Sequence, residues 1–125
     1  MPMQTTYSTE DLVRAAKGDV GTLSPEEVAA ARGSGAVLID VREPDEWAAG
    51  RISDALHIPR GTIEFKIGDA VSDKNARIVT YCGAGSRAAL AAATLKTMGY
   101  AGAIASDAGF DALVKHGLPV NDGDA

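Results

Sequence analysis

The sequence is nearly devoid of cysteine. Cys82 is the single cysteine in 125 residues, so no internal disulfide can form. Only His57 and His116 join it as further soft ligands, and their spacing matches no zinc site or redox-active cysteine pair. No metal and no other cofactor is expected. Basic residues are also scarce: 12 Lys and Arg stand against 17 Asp and Glu, a formal charge of −5. A chain of that sign lacks the field that draws nucleic acid or anionic lipid, so neither is expected as a partner. Long apolar runs are missing as well. The longest are a few residues, against the roughly 20 that cross a bilayer, and Met1-Pro2-Met3-Gln4 carries neither a basic n-region nor an apolar h-region. A cytoplasmic address is the expectation.

The balance that remains, 46% apolar and 23% charged, is that of one ordinary globular domain. Ser8-Thr9-Glu10-Asp11 opens an amphipathic stretch that closes near Gly18, a short N-terminal helix packed as an appendage. Ser24-Pro25-Glu26-Glu27 is a stronger start, with Ser24 as N-cap, Pro25 in the first turn and Glu27 reaching back to the cap. That helix is expected to run to about Arg32. Ala36-Val37-Leu38-Ile39 then reads as a strand covered on both faces. Glu43 to Gly50 forms one or two helical turns, Ala55 to Ile58 a short strand, and Thr62 to Val71 a helix burying Ile63, Ile67 and Val71. Ile78-Val79-Thr80-Tyr81 is the clearest central strand. Ser86 to Met98 is an Ala- and Leu-rich helix, Ala103 to Ala105 a last strand, and Phe110 to His116 a last helix. Strands alternating with helices in this way predict an α/β fold, a parallel sheet with helices on both faces.

In such sheets chemistry sits at the carboxyl ends of the strands, and Cys82 follows the best strand directly. The segment Cys82-Gly83-Ala84-Gly85-Ser86-Arg87 leads from that strand into the Ala-rich helix. Two glycines allow the backbone to turn N–H groups inward as an anion nest, and the helix dipole adds positive potential there. Arg87 supplies a guanidinium beside them, so the thiolate is the favoured form of Cys82. An inert buried thiol is the commoner fate of a lone cysteine; this placement argues for a nucleophile.

These residues, with others, resemble the rhodanese domain of sulfurtransferases. Leu38 to Trp47 resembles the family's first signature and Gly50 to Pro59 its second. Cys82 to Arg87 resembles its active-site loop, and Leu95 to Tyr100 with Ala108-Gly109-Phe110 its closing portion. The resemblance implies a five-stranded parallel sheet, with residues 1–20 a helical extension, 21–120 the rhodanese domain and 121–125 a C-terminal tail. It implies that Cys82 and Arg87 are catalytic, that Gly83, Ala84, Gly85 and Ser86 cradle a persulfide, and that sulfur passes from thiosulfate or a related donor to a thiol or cyanide. Arg51 and Asp54 depart from the second signature and read as surface variation, Asp54 being tolerable at positive φ. Ala108 and Leu113 depart from the closing portion.

Other side chains carry plainer expectations. Asp40 and Arg42 are candidates for the rim of the site, although an ion pair of Arg42, for instance to Glu46, suits it better. Arg60 and Lys66 are candidates to draw anionic donors to the mouth, or simply solvated cations. Trp47 reads as a core anchor, His57 as a strand residue and His116 as a helix cap. Two rival functions remain. Cysteine phosphatases pair Cys and Arg around an anion loop but place five residues between them, where this chain has four, residues 83–86. A non-catalytic rhodanese interaction or sulfur-carrier module is the other, and such modules typically lose the cysteine.

Overall fold

A computed structural model describes residues 6–121. Residues 1–5 of the expected N-terminal extension and 122–125 of the expected tail lie outside the described residues. Two capped helices come first. Helix α1 (Thr9–Val20) starts at Ser8, whose Oγ accepts the Asp11 N–H while the Asp11 carboxylate accepts the Ser8 N–H. Helix α2 (Pro25–Gly33) repeats the device with Ser24 and Glu27 and begins on Pro25, whose missing N–H costs nothing in the first turn. Between them lies a two-residue strand, β1 (Thr22–Leu23), too short to show any periodicity.

The remaining elements are β2 (Val37–Asp40), α3 (Pro44–Ala49), β3 (Arg51–Ile52), β4 (Leu56–His57), α4 (Ile63–Ala70), β5 (Ile78–Tyr81), α5 (Ser86–Thr97), β6 (Ala103–Ser106), α6 (Phe110–Lys115) and β7 (Val120–Asn121); all but the short β3 and β7 follow the alternation expected. Five strands form one parallel sheet in the order β1-β6-β5-β2-β4. The fifth strand is β1, paired to β6 through Thr22–Ala105 and Leu23–Ser106. The pair β3 and β7 is an antiparallel ribbon that joins residues about seventy positions apart, with Arg51 opposite Asn121 and Ile52 opposite Val120. Asn121, expected in the tail, is thus part of a strand.

Side chains alternate across the sheet and build two cores. Ile39, Ile78 and Ala105 face α4 and α5, where Ile63, Ile67, Ala88, Ala89, Ala92 and Leu95 are fully or nearly fully buried. Leu38, Val79 and Tyr81 face α2 and α6, against Val28, Leu113 and Leu118. Alanines let α5 lie so close to β5 that the Thr80 hydroxyl donates to the Ala88 carbonyl at 2.8 Å. A larger residue on that face would force the layers apart, at about 1–3 kcal/mol. α1 is no loose appendage: Ala16 is buried in the α5 core, Val13 and Val20 pack on it, and Lys96 Nζ donates to the Asp19 carbonyl at 2.7 Å.

Candidate active site

The site is built where β5 ends. Cys82 follows Tyr81, is 1% exposed, and its Sγ accepts the Gly85 N–H at 3.0 Å and the Ala88 N–H at 3.4 Å. Gly85 is the N-cap of α5 with φ +106°, a conformation that a residue with a Cβ rarely adopts. A Cβ there would also approach the Asp107 carbonyl oxygen to 2.8 Å. Gly109 is required for proximity alone, because a Cβ on it would collide with the Gly83 carbonyl. The Phe110 N–H donates to the Cys82 carbonyl at 2.9 Å, so the segment after β6 clamps the loop. Among the described residues, the N–H groups of Gly83, Ala84, Ser86 and Arg87 have no protein acceptor. Four free donors at a helix start, around a sulfur, form a concavity for a small anion.

Arg87 does not point freely into that concavity. Its Nη1 and Nη2 donate to the two Glu46 carboxylate oxygens at 2.6 and 3.1 Å, a bidentate fork. Glu46 is itself aimed by α3, since its Oε1 also accepts the Glu43 N–H at 2.9 Å as part of a capping box. The hydrogen bonds from Arg87 hold the Glu46 carboxyl down to about 2, with burial opposing and the Glu43 N–H assisting. The Arg87 guanidinium is raised in turn, first by Glu46 and, more weakly, by the charge of the Cys82 sulfur.

Arg42, expected beside Glu46, pairs instead with Asp40. Its Nε and Nη2 donate to the Asp40 carboxylate at 2.8 to 3.1 Å, and Nη2 also donates to the Gly50 carbonyl at 2.7 Å. Residues two apart at a strand end share a side of the sheet, which α3, restarting the chain at Pro44, denies to Arg42 and Glu46. The pair is buried beneath Phe110, whose ring centroid lies 4.2 Å from the guanidinium carbon. Burial works against the Arg42 charge, and the Asp40 carboxylate outweighs it, raising the guanidinium. Burial also pushes the neighbouring Tyr81 phenol well up. Among the described residues, no hydrogen bond or ion pair joins Asp40 or Arg42 to the loop.

Trp47 is half-buried rather than a core anchor. It is stacked between His57, 4.7 Å away and nearly parallel, and the Arg51 guanidinium at 4.8 Å. Arg51 therefore has a packing partner. Asp54 has negative φ and pairs with Arg32 at 2.8 Å. His57 Nε2 meets the Arg42 carbonyl at 2.9 Å, and exposed His116 caps α6. Arg60 contacts Glu64 and Thr94. Thr94 is eight residues beyond Ser86 on α5, roughly 12 Å along the axis at 1.5 Å per residue. Lys66 is exposed on α4. The structure brings Cys82 through Arg87 together and leaves Asp40, Arg42, Arg60 and Lys66 outside the loop. It adds Glu46, which no sequence spacing links to Arg87. It also adds a cleft of about 400 Å³ beside exposed Ser86, walled by Thr9, Glu10, Val13, Arg14 and Lys17 of α1.

Comparison with known proteins places this arrangement. Residues 24–116 match the model of the rhodanese-like domain. The thiosulfate sulfurtransferase GlpE of Pseudomonas entomophila is 36% identical over 89 residues, 71% of this chain and 80% of that protein. The polysulfide-sulfur transferase homodimer from Wolinella succinogenes has a solution structure that superposes with a TM-score of 0.76 at 34% identity, covering 87% of this chain and 83% of that one. A structure from Rhodopseudomonas palustris, of unknown function and described as a possible tyrosine phosphatase, gives 0.83 at 29% identity over 97% of this chain and 99% of that one. The fold, the loop and the length of the match agree: the chain belongs to the rhodanese-like sulfurtransferase family.

Proposed function

We propose that the protein transfers sulfane sulfur from thiosulfate or a related persulfide to a thiol or cyanide, with Cys82 as nucleophile and covalent carrier. The observation that carries this reading is the loop itself: a sulfur held by two backbone N–H groups, with four more N–H donors left for an anion around it. The Cys82 thiolate attacks the outer sulfur of thiosulfate. One S–S bond forms, the S–S bond of the donor breaks, and sulfite leaves with the electron pair. The terminal sulfur of the persulfide is anionic, and the preorganised amides of Gly83 to Arg87 stabilise it as an oxyanion hole stabilises its oxygen. An acceptor thiolate or cyanide then attacks that sulfur, restoring the Cys82 thiolate and leaving as persulfide or thiocyanate. Arg87, fixed by Glu46, acts as a positioning residue that also offsets the accumulated negative charge.

The same loop speaks against phosphate monoester hydrolysis, the activity suggested for the R. palustris neighbour. Gly109 packed on the Gly83 carbonyl and Gly85 against the Asp107 carbonyl brace a four-residue loop that is one residue shorter than the loop of the cysteine phosphatases. A non-catalytic interaction module has no use for the Cys82 geometry. Residues 21–120 carry the transfer chemistry in this reading, with α1 as an extension that borders it. No helix among the described residues is long and apolar enough to cross a membrane.

With no second cysteine to resolve the persulfide, the loaded state persists until an acceptor arrives. Intact-mass measurement after incubation with thiosulfate alone is expected to show one added sulfur, about 32 Da, through covalent capture. Cyanide removes it, and Cys82→Ser neither gains the mass nor turns over. Turnover without an adduct, or an adduct that survives Cys82→Ser, overturns the mechanism. Hydrolysis of an aryl phosphate that disappears in Cys82→Ser would favour the phosphatase instead.

A further inference from the structure

Thiosulfate is only five heavy atoms, yet the cleft at Ser86 has about 400 Å³, a volume in the range that holds small organic ligands. One wall is the loop residue Ser86; the rest is a single stripe of α1. Glu10, Val13, Arg14 and Lys17 recur at the i, i+3, i+4, i+7 spacing of one helix face. Seven residues at 1.5 Å per residue put roughly 10 Å between Glu10 and Lys17, which matches about three residues of extended peptide. Charge is distributed along that length, with the Glu10 carboxylate at one end, the Arg14 guanidinium between, and the Lys17 ammonium at the other, beside Asp107.

None of these charges is locked. Lys17 Nζ meets Asp107 Oδ1 at 3.3 Å with the side chains 37% and 60% exposed, and the backbone of Asp107 is what abuts Gly85. Arg14 holds Asp11 at 3.2 Å while 74% of its side chain remains accessible. Exposed pairs of this kind contribute little and exchange readily for a ligand carboxylate.

We propose that this cleft is the subsite for the body of the sulfur-accepting thiol, and that the acceptor is an amino-acid or peptide thiol bearing free carboxylate and ammonium groups. Lys17 and Arg14 take the carboxylate, Glu10 takes the ammonium, and the thiol end reaches past Ser86 to the sulfur on Cys82. The inference rests on the persulfide reading above and adds to it the place where the body of the accepting thiol is held. Lys17 and Arg14 are then specificity-determining residues contributed by a helix outside the family match, which begins at residue 24.

Two measurements test this separately from the persulfide. Titration of the protein with S-methylglutathione, which cannot accept sulfur, is expected to shift the amide resonances of residues 9–17 and of Ser86 in wild type. The shifts are lost in a Lys17→Gln/Arg14→Gln variant. In steady-state transfer from thiosulfate, the ratio of kcat/KM for glutathione over 2-mercaptoethanol is expected to fall about tenfold in that variant, the size of one charge-assisted contact. Absence of shifts in wild type, or an unchanged ratio, overturns the subsite while Cys82 loading on thiosulfate stands. Failure of wild type to load sulfur on Cys82 refutes the underlying persulfide reading, whatever the resonances do.

Discussion

Two arginine–carboxylate forks stand out among the described residues, and they are made of the same groups in different surroundings. Asp40 and Arg42 are 0% and 6% exposed at the side chain; Glu46 and Arg87 are 33% and 35% exposed. The first is closed on every side, by the Gly50 carbonyl, by Phe110 and by Tyr81. The second is open to water on one side and faces the Cys82 loop on the other. A buried fork cannot give up one partner without stranding the other, so it fixes how α3 returns to the sheet. An exposed fork is worth little to folding but can orient a cation where charge changes during turnover.

The contrast is most exposed to refutation at Asp40. Asp40→Ala leaves the Arg42 guanidinium buried and unpaired, and is expected to cost about 3–5 kcal/mol in urea unfolding. A loss below about 1 kcal/mol, the range of surface pairs, would erase the distinction between the forks. Arg87→Ala reverses the pattern. Transfer slows about a hundredfold, the scale for losing one preorganised stabilising group, while the unfolding midpoint moves by less than about 1 kcal/mol worth of stability. Unchanged kinetics would reduce Arg87 to a surface residue.

The smallest effect concerns pH and Glu46. Its carboxyl is held at about 2 in the folded protein against an ordinary 4.5. A depressed carboxyl contributes stability that is complete above 4.5 and is lost as pH falls towards about 2. The small deficit of Glu46→Gln relative to wild type is therefore expected at neutral pH and should shrink across that interval in parallel urea titrations. A deficit that grows on acidification would mean that Glu46 is not ionised in the fork.

Much of this could be read from the chain. The unbroken apolar run that leads into β2, the Ser24 capping box and the glycines around Cys82 are local signals, and each produced the element or turn it announces. What stayed hidden is pairing between elements. β1 is two residues long and gains its strand conformation only from β6, and β3 finds β7 across nearly the whole domain. The sequence points Glu46 to Arg42, and the restart of the chain at Pro44 turns it to Arg87 instead. The Asp40–Arg42 fork was within reach of the alternation rule for strands. Trp47 was assigned to the core by its size, whereas the structure uses it as the middle layer of a His57–Trp47–Arg51 stack. The cleft on α1 left no trace in the sequence, because its stripe of mixed charge reads as a solvated face.

The clamp on the loop also has a consequence for biosynthesis. Gly109 and the Phe110 N–H, which fix the Gly83 and Cys82 carbonyls, follow the cysteine by more than twenty-five residues, and β6, just before them, must insert between β5 and the early strand β1. A chain still emerging from the ribosome therefore exposes Cys82 before anything can shape its loop. Until β6 and Gly109 arrive, that residue is an ordinary thiol on an unfinished sheet, as open to stray oxidants as any other. The shape of the Cys82 loop is therefore complete only once β6 has inserted and Gly109 has closed on the Gly83 carbonyl.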